Sequence, residues 1–66
     1  MKFSKNLKTE LSLRGMTQEN LANALGTTQA TVSRWIKGVN QPDFETLFSI
    51  CRILEVTPND LLGWSE

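Results

Sequence analysis

The sequence predicts an all-α domain of five short helices packed into a compact unit. Apolar residues recur three and four positions apart, which is the spacing of one helix face, and no stretch alternates as a half-buried strand does. Residues that cap helix N-termini precede these stretches, and glycine follows four of them. Because a chain of 66 residues is long enough for one small core, we predict a single domain over residues 1–66.

The first predicted helix spans about residues 4–14. Phe3, Leu7 and Leu11 fall on one stripe, and Gly15 ends the helix. We therefore expect this stripe to pack against the rest of the domain.

Two shorter helices are predicted over about residues 18–25 and 29–37. Thr17 is expected to cap the first, and either Thr27 or Thr28 the second. Gly26 lies at the turn between them, where a left-handed backbone costs glycine least. The apolar faces of this pair are formed by Leu21, Ala22 and Leu25 and by Val32, Trp35 and Ile36, and Gly38 closes the second helix.

The last two helices are predicted after the loop of residues 39–42. Asp43 caps the fourth, over about residues 44–54. The fifth begins at Pro58, is capped by Thr57 with Asp60 completing a capping box, and stops at Gly63.

The predicted core collects the inward residues of all five helices. Trp35 is assigned to it rather than to an exposed face, because its spacing from Val32 points it inward. The fourth helix carries an apolar stripe of Phe44, Leu47, Phe48, Cys51 and Leu54. The predicted core residues are Leu7, Leu11, Leu21, Ala22, Leu25, Val32, Trp35, Ile36, Leu47, Cys51, Leu54, Val56 and Leu61.

Composition argues against several functional classes. Cys51 is the one cysteine and is interpreted as a buried core thiol, so no disulfide is expected. With no histidine and no glycine-rich phosphate loop, neither a metal site, a cofactor nor an enzyme active site is predicted. We find no apolar run long enough to cross a membrane and no signal peptide, and therefore predict a cytoplasmic protein.

Charge is divided between the two halves of the chain. Residues 1–37 hold six basic and two acidic residues, a net charge of +4, whereas residues 38–66 hold one basic and five acidic residues, a net charge of −4. This division is either ordinary surface charge or a dipole that turns a basic face toward a polyanion.

Residues 17–38 form the most informative segment. Two short helices that meet at a steep angle across a glycine turn can place the second in the major groove of DNA. The outward residues of that second helix are polar or small and include no acid, as a surface that meets phosphates and base edges requires.

These residues resemble the lambda-repressor-like DNA-binding domains, the Cro-type or xenobiotic-response-element family of bacterial and phage regulators. The similarity covers nearly the whole chain: residues 16–22, Leu25-Gly26, Gln29, residues 32–35, Lys37-Gly38, residues 41–43 and 45–47, and residues 54–62. It implies a five-helix fold with a helix-turn-helix at its second and third helices, and a transcriptional regulator, typically a repressor, that reads double-stranded DNA.

One departure from the family pattern concerns two positions that face each other in relatives. Many members pair an arginine in the first helix with a glutamate after the aromatic residue of the third. Here these positions are Leu11 and Ile36. An apolar contact in place of an ion pair is often neutral or stabilising, because desolvating two charges is costly, and we predict that the two side chains touch.

The resemblance also implies which residues contact DNA. Gln29 is expected to bind adenine and Arg34 to bind guanine or a phosphate. The full set of expected base-contacting residues is Thr28, Gln29, Ala30, Thr31 and Arg34. The expected phosphate-contacting residues are Thr17, Gln18, Ser33, Lys37, Asn40 and Gln41. For Thr17 a capping role is compatible with this, and Lys37 is equally a solvated lysine at a helix end.

Relatives bind palindromic operators as homodimers, through the connection between the fourth and fifth helices and the fifth helix itself. The resemblance therefore implies an interface at Pro58, Leu62 and Trp64, although Trp64 fits equally as a lid on the core. An antitoxin-like subunit or an adaptor that mainly binds another protein is the alternative function. The acid-free surface of the third helix favours the regulator.

Overall fold

A computed structural model describes residues 2–63, which form five helices and no strand. They are α1 (Phe3–Leu13), α2 (Gln18–Leu25), α3 (Gln29–Lys37), α4 (Phe44–Leu54) and α5 (Pro58–Leu62). The bounds of the last four agree with the prediction. The first begins and ends one residue early: the Arg14 N–H bonds back to Leu11 O at 3.2 Å in a tightened turn, and Gly15 turns left-handed at φ +66°.

Side chains cap the N-termini of α2 to α5. In each case an oxygen of the capping residue accepts from the backbone N–H three residues later, at 2.8–3.2 Å. Thr28, and not Thr27, caps α3. Thr17 with Asn20 and Thr57 with Asp60 form reciprocal capping boxes. Local sequence thus fixes where these helices start.

The core lies where the five helices meet. Ten of its members belong to the predicted core. Phe3 lies on the predicted apolar stripe of α1 but was outside the predicted core, and Ile50 was in neither. Leu25, Ile36 and Val56 were predicted as core but are only partly buried, packed against its edge. The buried residues are Phe3, Leu7, Leu11, Leu21, Ala22, Val32, Trp35, Leu47, Ile50, Cys51, Leu54 and Leu61.

Both phenylalanines of the apolar stripe of α4, which were outside the predicted core, are exposed. Phe44 is 79% exposed and Phe48 is 51% exposed. The buried face of α4 is centred between Leu47 and Ile50, and each residue turns the helix by about 100°, so Phe48 is carried away from the neighbours α2 and α5. Ile50 takes the buried place instead.

Cys51 is buried, as predicted, with 5% of its surface exposed. Burial raises the pKa of the Cys51 thiol, and the negative charge of Asp60 adds to that effect. Because the thiolate is the reactive form, a buried thiol with a raised pKa is unreactive, and Cys51 contributes to core packing.

The cap of α4 is expected to make stability depend on pH. Hydrogen bonds to the carboxylate from the side chain and from the backbone N–H of Thr46 lower the pKa of Asp43 below its ordinary value. A carboxylate whose pKa is lower in the folded than in the unfolded state stabilises the fold above the unfolded pKa, and that contribution is lost as pH falls through the folded pKa. In urea unfolding between pH 6 and 2.5, Asp43→Asn should weaken the loss of stability that occurs below about pH 4. An identical pH profile for both proteins would contradict this.

Candidate nucleic-acid interface

The turn between α2 and α3 is built by backbone bonds around one glycine. Gly26 adopts a left-handed conformation at φ +73°, and the next N–H, of Thr27, reaches back to Ala22 O at 2.9 Å. Thr28 is then extended and starts α3. Because Leu21, Ala22 and Val32 are buried together, α2 and α3 are packed as one unit.

The far end of α3 is anchored to α1. Ser4 Oγ donates to the carbonyl oxygen of Trp35 at 2.6 Å, and the side chain of Trp35 is buried. Gly38 turns left-handed, so the N–H of Val39 can bond to Arg34 O at 2.9 Å. Both ends of α3 are therefore fixed, and its outer face is presented on a rigid support.

The outer face of α3 carries the predicted base-contacting residues. Thr28, Gln29, Ala30 and Arg34 are exposed, and Thr31 is half-buried. Thr31 and Arg34 also bond to each other, Nη2 to Oγ1, at 3.5 Å. From residue 20 to residue 42 the chain has no acidic residue, so positive charge from Arg34 and Lys37 is not offset within this segment.

The predicted phosphate-contacting residues are all at least partly accessible. Thr17, Lys37, Asn40 and Gln41 are exposed, while Gln18 and Ser33 are half-buried. Thr17 Oγ1 accepts from the Asn20 N–H at 3.0 Å, which leaves its own hydroxyl hydrogen available to donate outward. The capping role of Thr17 is thus compatible with a contact to phosphate.

A surface groove of about 330 Å³ adds a residue that sequence reasoning missed. Lys8 of α1 lines it beside Thr17 and Gln18, at the start of α2. The sequence shows that Lys8 and Ser12 are four residues apart and therefore share the helix face next to Leu11. Sequence alone gave no reason to bring that face to the start of α2.

The same groove contains both positions of the missing ion pair. Leu11 and Ile36 line it together, so they lie on the same side of the domain. Ile36 also packs against the core to which Leu11 belongs. Direct contact between these two side chains stays a prediction.

Arg14, one of the six basic residues in residues 1–37, bonds within the domain. Arg14 Nε donates to Leu54 O at 2.7 Å, at the end of α4, and Nη1 pairs with the carboxylate of Glu10. The Arg14 guanidinium therefore satisfies the carbonyl at the C-terminus of α4 and joins the end of α1 to the end of α4.

The predicted dimer surface is described only in part. Pro58 and Leu62 are half-buried on α5, and Trp64 lies outside the described residues. Within residues 2–63 no three His, Cys, Asp or Glu side chains are grouped as a metal ion would need, and no helix is long and apolar enough to cross a membrane.

A helix-turn-helix family model of the Cro/C1 type matches residues 7–61. The chain belongs to this helix-turn-helix family. The matched range contains α2, the turn and α3, and runs from within α1 to α5. Curated relatives that match this chain are described as transcriptional regulators.

Two curated relatives are also described as helix-turn-helix transcription regulators. Over 60 residues, 91% of this chain, it is 38% identical to the HTH-type transcriptional regulator YqaE of Bacillus subtilis, of which it covers 52%. Over its full length it is 32% identical to the HTH-type transcriptional activator BcrR of Enterococcus faecalis, of which it covers 32%. The chain thus spans about half of one relative and about a third of the other.

Two solved structures share the helix-turn-helix fold. A transcriptional regulator from Listeria innocua superposes with a TM-score of 0.88 over 97% of this chain and 60% of its own, at 23% identity. The P22 c2 repressor, solved in complex with a synthetic operator, superposes with a TM-score of 0.85 over 92% of both chains, at 18% identity. These likenesses establish the repressor-like arrangement of the five helices.

Proposed function

We propose that this chain is the DNA-binding part of a sequence-specific transcription regulator, and that α3 reads one operator half-site in the major groove. The observation that carries the proposal is the outer face of α3. It exposes Gln29 and Arg34 and lies in a segment without acidic residues. Its N-terminal end is joined to α2 by the turn bond from Thr27 N–H to Ala22 O, and its C-terminal end is bonded to Ser4 of α1. Such a face suits base edges, which present donors and acceptors, and the phosphates beside them.

Base reading is assigned to the N-terminal half of α3 and to Arg34. The amide of Gln29 can donate to N7 and accept from the N6 amino group of one adenine, a paired contact worth about 1–3 kcal/mol of discrimination. Arg34 offers only donors and therefore suits guanine, which presents two acceptors. Thr28 and Ala30 are assigned to thymine methyl groups or neighbouring base edges, and Thr31 belongs to the same surface.

Phosphate binding is assigned to the residues around α3. The first backbone N–H groups of α2 and the hydroxyl of Thr17 would meet one phosphate, with Gln18 beside them. Ser33, Lys37, Asn40 and Gln41 would contact the backbone elsewhere. The charge available is modest, so we expect weak non-specific binding.

We further propose that the protein binds as a homodimer and represses by occupying an operator that polymerase needs. Two copies related by twofold symmetry would place their α3 helices about one DNA turn, roughly 34 Å, apart. Pro58, Leu62 and Trp64 are the residues assigned to the contact between copies. Binding to chromosomal or phage DNA would place the protein in the cytoplasm, and no catalysis is part of this proposal.

Selection of bound sequences from random duplex DNA tests the proposal. We expect a palindromic motif for the native chain, and relaxation at different half-site positions in Gln29→Ala and Arg34→Ala. Arg52→Ala, which removes an exposed arginine from α4, is the control and should leave the motif unchanged. No enriched motif, with weak binding that disappears at physiological salt, would contradict the proposal and favour a module that binds another protein.

A further inference from the structure

Three side chains on the outer face of α3 form one connected chain of hydrogen bonds. Arg34 Nη2 donates to Thr31 Oγ1 at 3.5 Å, and the hydroxyls of Thr31 and Thr28 are bonded to each other at 3.0 Å. Thr28 Oγ1 also accepts from the backbone N–H of Thr31 at 3.2 Å. The chain thus runs from the last turn of α3 back to its N-terminal cap.

The donors and acceptors of this chain can be counted. A guanidinium and a backbone N–H can only donate, so Thr31 Oγ1 accepts from Arg34 and Thr28 Oγ1 accepts from Thr31. One hydroxyl hydrogen is used between the two threonines, and one remains to point outward. Donation from Thr31 to Thr28 is the cooperative arrangement, because the cation polarises the hydroxyl that it binds.

We infer that Thr31 is a positioning residue, which holds Arg34 in the orientation that reads a guanine, and that it does not act by packing its methyl group on a base. This deepens the proposed function and rests on it. An arginine side chain has many rotamers. A hydrogen bond that restrains it in the free protein reduces the conformational entropy that this side chain loses when the protein binds DNA. The restrained guanidinium then meets guanine O6 and N7 as a paired donor.

A similar arginine–hydroxyl pair on α4, which has no counterpart of Thr28, shows what Thr28 adds. Arg52 Nη2 lies 3.5 Å from Ser49 Oγ, also three residues earlier in the last turn of a helix. There the hydroxyl of Ser49 donates to the backbone carbonyl of Glu45 at 3.2 Å. On α3, by contrast, the hydroxyl of Thr31 bonds to the hydroxyl of another side chain, Thr28. Thr28 caps the helix and is held in place by the backbone N–H of Thr31.

The experiment compares motifs selected from random duplex DNA by the native chain, Thr31→Val and Thr31→Ser, each also in an Arg34→Ala background. Valine keeps the branched shape and removes the hydroxyl, whereas serine keeps the hydroxyl and removes the methyl group. Ser49→Ala is the matched control on α4. Thermal unfolding of each variant establishes that the fold is retained.

We expect Thr31→Val to reduce the preference for guanine at the Arg34-dependent position about fivefold to tenfold, a part of what a paired contact supplies. Thr31→Ser should keep that preference, and Thr31→Val should change nothing further once Arg34 is alanine. Ser49→Ala should match the native motif.

Two results would overturn the inference while the proposed function stands. One is an unchanged guanine position in Thr31→Val. The other is a changed position in Thr31→Ser that does not depend on Arg34, because this would assign the reading to the methyl group. Absence of any motif for the native chain would instead contradict the proposed function itself.

Discussion

Trp35→Ala is expected to remove a large part of the free energy of unfolding at 25 °C. The indole is 5% exposed and packs where α3 meets α1, and its removal from a small core should cost about 3–5 kcal/mol. A domain of 66 residues has a total stability of about 3–10 kcal/mol, so the loss is comparable to the whole. Circular dichroism and urea unfolding measure it directly.

Phe44→Ala is the matched control for the loss of an aromatic side chain. Phe44 is 79% exposed, and its removal should change the free energy of unfolding by less than about 0.5 kcal/mol. If Trp35→Ala unfolded at the same urea concentration as the native chain but lost DNA binding, the indole would be a DNA contact and its place in the core would be wrong.

Arg34→Glu is expected to lower affinity for the selected operator by about 100-fold or more. The substitution removes the proposed base contact, which would be worth about 1–3 kcal/mol, and puts a negative charge on the surface proposed to meet DNA phosphates. Fluorescence anisotropy with labelled operator, at two salt concentrations, measures the affinity. The dependence on salt should also become weaker, because one fewer cation displaces counterions.

Arg52→Glu makes the same change in charge at a comparable position. Both arginines are exposed, lie in the last turn of their helices and donate at 3.5 Å to a hydroxyl three residues earlier. Net charge and the interaction with the helix dipole therefore change alike in the two variants. Equal losses of affinity would mean that only total charge matters and that α3 is not the reading surface.

The starts of the helices could be predicted from the sequence because hydrogen bonds between neighbouring residues fix them. Thr17, Asp43 and Thr57 each accept a bond from the N–H three residues on, and this needs nothing from the rest of the fold. Only α1 was displaced by a residue at each end. It has no side-chain cap at Lys2, so nothing local marked its start.

Packing between helices decided what periodicity left open. The α4 pattern allowed a stripe with Phe44 and Phe48, but the positions of α2 and α5 bury Ile50 in its place. A helical repeat gives the spacing of an apolar face, whereas the neighbours determine its centre and width.

The sequence by itself determined the five helices, three of their caps, the glycine turn and the acid-free segment from which the DNA-reading proposal comes. The caps and the turn depend on residues within about one helical turn of each other, and the helices and the acid-free segment are continuous stretches of sequence. Tertiary structure alone brought Lys8 to the start of α2, used Arg14 to cap α4 and placed Leu11 beside the same groove as Ile36. Those relations join residues 10 to 40 positions apart, and their geometry exists only after the helices have packed.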